Sequence, residues 1–281
     1  MSLNVIDLIE HAPDNYEAER DERPGDELSP SQLTTYMECP ARWAFRKVWG
    51  IDEPGTVASA MGRAVHEATG HAHNVQIASG AILPAEHAVD VFRASWREES
   101  KAVQFTARHD PDELRERGSA LVAKYMAEVA PFIDPAGAEV KLPAGAEIGG
   151  VRVRGRLDLI ESNGRIRDTK TICRKPGGML TAHRVQLTIY AMAMPGASGA
   201  IAVDYLVKTK NKPQLVTIED RITHSDELLA TTLLQSAQKG MRSGVYLPNR
   251  CADSCNRLMC GFADLCESEY GGRVPFYPEA S

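Results

Sequence analysis

The chain of 281 residues contains no run of about 18 apolar residues, the length a membrane-spanning helix needs. Its opening stretch, MSLNVIDLIEHAPDNYEAER, lacks the basic start and the long apolar segment of a secretory signal. Together these absences predict a cytoplasmic protein. No Gly-x4-Gly-Lys-Ser/Thr loop is present, so the chain carries no visible ATPase of that kind. No internal repeat divides it, which argues against a solenoid or propeller. It also lacks an overall positive charge: the formal net charge is −6.

The distribution of charge matters more than its total. Residues 1–28 hold nine acidic and two basic residues, a net of −7, which leaves +1 for the rest of the chain. Residues 152–175 are locally basic, with Arg152, Arg154, Arg156, Arg165, Arg167, Lys170, Arg174 and Lys175 against Asp158, Glu161 and Asp168. Polyanions respond to local potential, although a solvated strand face has the same composition. Hydrophobic residues at 43% and charged residues at 25% are ordinary for a globular fold, and this length can bury a full core. Of six cysteines, four (Cys251, Cys255, Cys260, Cys266) fall within sixteen residues. In a reducing compartment such clustering points to metal ligation rather than disulfides.

Residues 1–28 read as an acidic flexible tail, with a short helix conceivable at 4–10. Order is expected from Ser29-Pro30-Ser31-Gln32, where Ser29 can cap a helix, Pro30 suits the first helical position and Gln32 can close a capping box. Pro40 either breaks that helix or restarts it. Amphipathic helices are expected over 57–79, 84–105 and 111–130. The pattern then switches to strands at 138–142, 150–161 and 164–172, with Asn163-Gly164 as a hairpin turn. Along 150–161, Val151, Val153, Gly155 and Leu157 alternate with Arg152, Arg154, Arg156 and Asp158, which predicts one buried and one polar face. A helix over 179–194, strands over 199–208 and 214–219, and a helix over 224–242 complete the pattern.

Asp158 and Asp168 fall on the two strands of the expected hairpin. Adjacent strands lie about 4.8 Å apart, so two carboxylates there can converge on one hard cation. Asp168 and Lys170 share strand parity and point to one face. Such a set suits phosphodiester cleavage, with carboxylates holding Mg²⁺ or Mn²⁺ and the lysine stabilising charge on the phosphate. Taken alone, Asp-x-Lys is more often a surface salt bridge. Gly62-x-x-x-His66 lies on a helix, where the glycine admits another backbone and His66 offers a nitrogen ligand; a lone helix histidine is more often structural. Gln186-x-x-x-Tyr190 lies one turn apart on the next helix and could hold lysine, water or DNA, or be core and rim.

The ordered series Cys39-Pro40, Gly62-x-x-x-His66, Gly155-Arg156-Leu157-Asp158, Asp168-Thr169-Lys170, Gln186-x-x-x-Tyr190 and Cys255-x4-Cys260-x5-Cys266 resembles the RecB-type branch of the PD-(D/E)XK nucleases. That branch includes AddB-type nuclease domains, CRISPR-associated RecB-family exonucleases and phage-encoded relatives. The resemblance implies an α/β, restriction-endonuclease-like core, a mixed central sheet flanked by helices, with an N-terminal helical region and a C-terminal metal-cluster segment. It implies one nuclease domain over 29–270: a helical part at 29–135, a catalytic core at 136–245 and a cysteine segment at 246–270 closed by Cys39, followed by a tail at 271–281. It implies His66, Asp158, Asp168 and the Thr169 carbonyl as Mg²⁺ or Mn²⁺ ligands, Lys170 as catalytic lysine, and Gln186 and Tyr190 as the pair associated with end-directed cleavage. Cys39, Cys255, Cys260 and Cys266 would hold a [4Fe–4S] cluster, with zinc as the alternative. Arg154, Arg156, Arg174 and Lys175 are the expected DNA contacts.

The activity so implied is a DNA exonuclease or end-processing nuclease acting on single strands or ends, in recombination, repair or CRISPR adaptation, in a bacterial or phage-infected cell. A helicase, recombinase or single-strand-binding protein would be its partner. A non-catalytic DNA-binding module with a structural metal centre is the alternative, and a zinc-stabilised protein-interaction domain a third reading. This chain has Asp168 where many relatives have glutamate, and four residues rather than two between Cys255 and Cys260.

Overall fold

The computed structural model of the chain describes residues 25–103, 105, 109–209, 212–257 and 259–277. The acidic stretch 1–24, including the short helix expected at 4–10, lies outside them. Ser29 caps α1 (Pro30–Glu38): its hydroxyl accepts the Gln32 N–H at 3.2 Å, and Pro30 takes the first turn. The capping box is only half formed, because the Gln32 side chain turns inward and its Oε1 accepts the Trp43 indole N–H at 3.4 Å. Pro40 restarts the helix. Cys39 adopts an extended backbone (φ −157°, ψ 102°) that ends α1 and opens α2 (Pro40–Lys47).

Three longer helices follow, α3 (Val57–Ser79), α4 (Ala85–Glu99) and α5 (Pro111–Glu128). The helix expected to run to 105 stops at Glu99, where a 3-10 turn at Ser100–Ala102 redirects the chain and Val103 bridges Gly55. The strands are β1 (Glu27–Leu28), β2 (Pro135–Lys141), β3 (Glu147–Ile148), β4 (Val151–Val153), β5 (Arg156–Glu161), β6 (Ile166–Ile172), β7 (Ala200–Val207) and β8 (Gln214–Arg221). Helix α6 (Thr181–Ala193) crosses between β6 and β7, α7 (His224–Arg242) follows β8, and α8 (Ala263–Tyr270) ends the described structure's helices.

The central sheet has the order β2-β5-β6-β7-β8. β6 and β7 are parallel, as a helical crossover requires, and the other neighbours are antiparallel. On one face Leu157, Ile166, Ile201, Val203 and Tyr205 pack with α6 and α7. On the other, Leu159 and Leu206 join the apolar faces of α3, α4 and α5. This is the mixed α/β, restriction-endonuclease-like architecture expected from the sequence.

The strand expected over 150–161 is two strands. β4 belongs to a separate sheet, β1-β4-β3, and the chain changes sheets at Arg154–Gly155. Gly155 makes that possible by lying against the Tyr190 ring, where a Cβ would come within 2.7 Å of Cε1. The alternation of buried and exposed residues holds along β4, whereas Leu159, Ile160 and Glu161 of β5 are all buried, because helices cover both faces of the central sheet. The ends are also more ordered than a reading as tails allows. Glu27–Leu28 pairs with Arg152–Val153 and buries Leu28 completely. Beyond residue 271, Val274 is buried, and Pro275 and Tyr277 accept hydrogen bonds from Arg257 N–H and Asn256 Nδ2, each at 2.8 Å.

Candidate active site

β5 and β6 pair with Leu159 opposite Arg167 and Ile160 opposite Ile166; one step further along this register sets Asp158 opposite Asp168. On the other side of β5, Ala138 faces Leu159 and Val140 faces Leu157, so Glu139 falls beside Asp158. Three carboxylates thus form a row across three neighbouring strands. His66 reaches the row from α3, with Nδ1 3.1 Å from Asp158 Oδ2. The same oxygen accepts the Thr169 backbone N–H at 2.9 Å. Thr169 thus meets Asp158 through its backbone amide. Lys170 Nζ lies 2.9 Å from Asp168 Oδ1, which also accepts from Gln186 Nε2 at 3.0 Å.

Glu139 was missed in the sequence. An acid inside a short strand was its only signal, and its partners come from remote segments. It is the one non-glycine residue with positive φ (54°) among those described, a costly conformation for a residue with a Cβ. Gly70, one turn beyond His66 on α3, makes room for it: a Cβ there would lie 3.1 Å from Glu139 Cγ. Gly62, expected to admit another backbone, has only ordinary space, its nearest neighbour being Thr171 Oγ1 at 3.7 Å from an added Cβ. Ligand atoms of His66, Glu139 and Asp158 all lie within 4.8 Å of one another.

The electrostatics set the two aspartates apart. Burial raises the Asp168 carboxyl, Asp158 raises it further, and Lys170 and His66 only partly oppose this. Burial would also raise Asp158, but the His66 imidazole, Lys170 and the Thr169 amide outweigh it and hold that carboxyl below its ordinary range. Glu139 is raised by burial and by Asp158. Burial depresses His66 and Lys170, and the carboxylates more than restore both. Asp168 Oδ2 is buried, with Lys170 Nζ 2.9 Å away as its ion-pair partner. Three carboxylates and one imidazole form the hard, oxygen-rich donor set that a divalent Mg²⁺ or Mn²⁺ ion fits.

The remaining expected residues divide. Tyr190 is buried beside Gly155, and burial followed by the nearby Asp168 and Asp158 raises its hydroxyl. Arg156 lies 3.5 Å from Glu139 at the rim, and Arg154 lies 3.6 Å from Glu27 in the small sheet. Arg174 and Lys175 are exposed in the loop after β6. Cys39, Cys255, Cys260 and Cys266 line one cavity of about 20 Å³, joined by Arg42 and Arg250. Cys173 and Cys251 are exposed and apart from it. Burial raises the Cys260 and Cys266 thiols, a cost that bound metal would remove by replacing the proton.

Residues 27–267 match the family described as the PD-(D/E)XK nuclease superfamily. No curated protein matches the chain. Among solved structures, a candidate exonuclease from Eubacterium rectale is 15% identical, with 91% of each chain covered and a TM-score of 0.57, a likeness of fold. The protein SSO0001 is 13% identical, with 90% of this chain and 89% of that one covered and a TM-score of 0.41.

Proposed function

The chain belongs to the PD-(D/E)XK nuclease superfamily, and from that premise we propose that it is a Mg²⁺- or Mn²⁺-dependent deoxyribonuclease that degrades DNA from ends, on single strands by preference. The observation that carries this reading is the row Glu139, Asp158 and Asp168 with His66 at one side and Lys170 at the other. His66, Asp158, Asp168 and the Thr169 carbonyl would hold the ion, with Glu139 added to the set. Bound there, a divalent ion supplies Lewis-acid polarisation of the phosphate and acidifies water. Lys170 holds positive charge beside Asp168, where a phosphate oxygen gains negative charge as the P–O bond breaks. Gln186 donates to Asp168 Oδ1 and so fixes the carboxylate's orientation; Tyr190 packs behind it against the Gly155 backbone. These are positioning roles.

Cys39, Cys255, Cys260 and Cys266 would hold a [4Fe–4S] cluster as a structural clamp. The supporting observation is that all four line one cavity; one zinc ion is the alternative occupant. A helicase, recombinase or single-strand-binding protein is the fitting partner, in recombination, repair or CRISPR adaptation.

The test is a product ladder from end-labelled single- and double-stranded DNA with Mg²⁺, with Mn²⁺ and with chelator. Metal-dependent shortening from one end is expected, and Lys170→Ala should abolish it. Binding without cleavage in either metal would instead establish the non-catalytic alternative.

A further inference from the structure

Away from the carboxylate row, α1, α2 and the end of β4 enclose a second cavity of about 290 Å³, near the lower size of pockets that hold small organic ligands. Its wall carries three cations, Arg46 and Lys47 from α2 and Arg154 from the β4–β5 crossing, together with the hydroxyl groups of Ser29, Ser31 and Thr35. Among the described residues no acidic side chain lines it. The carboxylates nearest to two of these cations stand outside and at long range: Glu53 Oε2 is 3.8 Å from Arg46, and Glu27 Oε2 is 3.6 Å from Arg154. All three cations are exposed, and the guanidinium groups of Arg46 and Arg154, held only at long range, can turn to a ligand.

The cavity is tied to the active site by the chain itself. Arg154 adjoins Gly155, whose backbone lies against Tyr190, and Asp158 is four residues further on. At about 3.3 Å per residue those four positions span at most about 13 Å. A strand advances about 3.4 Å per stacked nucleotide, more when extended, so the two places are roughly two to four nucleotides apart. A cavity with three cations, several hydroxyls and no acid among its described lining suits a phosphodiester, since guanidinium groups grip phosphate oxygens with paired donors and hydroxyls add single hydrogen bonds.

We propose that the Arg46–Lys47–Arg154 cavity binds a backbone phosphate of the DNA strand a few nucleotides from the bond being cut, and so anchors the substrate. This rests on the nuclease reading, but its test does not require cleavage. The probe is fluorescein-labelled oligothymidylate of 2, 6 and 12 nucleotides, with binding measured in chelator at several salt concentrations. The triple variant Arg46→Gln, Lys47→Gln, Arg154→Gln should bind the 12-mer about tenfold or more weakly. Its slope of log affinity against log salt should fall by roughly 0.7 to 1, the value for one lost phosphate contact. Affinity for the dinucleotide, too short to bridge both places, should be far weaker than for the 12-mer in the wild type, and Arg154→Lys alone should keep most of the 12-mer affinity. In Mg²⁺ the variant should show raised KM on the 12-mer with little change in kcat.

A wild-type chain that cuts DNA, beside a triple variant with unchanged 12-mer affinity and salt slope, overturns the anchor and leaves the nuclease reading standing. A wild-type chain that binds in this cation-dependent way but cuts nothing in either metal overturns the nuclease reading and keeps the anchor. Thymidine 5′-monophosphate that binds wild type and not the variant, with equal 12-mer affinities, would make the cavity a free-nucleotide site and overturn the proposal. A wild-type chain that binds none of the oligonucleotides overturns it as well.

Discussion

Replacing Arg167 by methionine should destabilise the domain by about 3 kcal/mol at neutral pH. Strand parity sends Arg167 to the opposite side of β6 from Asp168 and Lys170, and there it ties three strands together. Nε donates to Glu161 on β5 at 2.8 Å, Nη1 to both Asp204 oxygens on β7 at 3.0 Å, and Nη2 to Glu219 on β8 at 3.2 Å. The side chains of Arg167, Glu161 and Asp204 are buried, and that of Glu219 is half exposed. Breaking a buried ion pair from one side costs about 3–5 kcal/mol, because the stranded charge keeps its desolvation penalty. The Glu219 contact adds less than about 1 kcal/mol. Thr217 still donates to Asp204 at 2.6 Å in the variant, which places the cost at the lower end. At roughly 2–4 °C per kcal/mol for a domain of this size, Tm should fall by about 6–12 °C.

The pH dependence gives a sharper test. Burial raises the Asp204 carboxyl above its ordinary value, with Arg167 the main opposing influence. A carboxyl raised in the folded state adds stability below its unfolded value and loses it as pH rises through the folded one. Without Arg167 that loss is uncompensated, so the deficit should widen from pH 5 to pH 7.5. Urea unfolding followed by circular dichroism at both pH values measures it, and Arg167→Met with Asp204→Asn should recover much of it. A deficit below about 1 kcal/mol at pH 7.5, or one that grows as pH falls, refutes the argument.

Asp158→Ala and Lys170→Ala should each abolish cleavage in a gel assay while the far-ultraviolet spectrum stays unchanged; full activity in purified Lys170→Ala would defeat the mechanism. His66→Ala and Glu139→Gln should each weaken Mn²⁺ binding by calorimetry, and excess Mn²⁺ should partly restore activity. Protein purified without oxygen should be brown. Cys39→Ser should bleach it and destabilise the whole domain by several kcal/mol, on the order of the ~4–5 estimated for closing so long a loop, whereas Cys251→Ser should do neither; colourless wild type with one zinc per chain would replace the cluster. His73, buried and bonded to the Tyr125 hydroxyl at 2.8 Å, is held down to about 4 by burial from a usual 6.5. It stays neutral when folded, so its stability is present above 6.5 and is lost as pH falls toward 4, a slope worth about 3 kcal/mol that His73→Gln should remove from urea titrations.

Local physics in the sequence determined much of this protein. The 3.6-residue period set α3 at Val57–Ser79 and α7 at His224–Arg242 as expected, and strand parity put Asp168 and Lys170 on one side of β6. Such features depend on neighbours three or four positions away at most. Tertiary structure decided what depends on pairing between remote segments. Glu139 joins the site only because β2 docks beside β5 in one register, with a backbone twist that no periodicity encodes. The break at Arg154–Gly155 comes from the Tyr190 ring on α6, and the cationic cavity from α2 folding over the end of β4. The cysteines that share one cavity include Cys39 and Cys255, 216 residues apart. Residue types and spacing name the ligands available, whereas long-range strand pairing and packing choose which of them meet, because the free energy that selects the arrangement resides in contacts between segments.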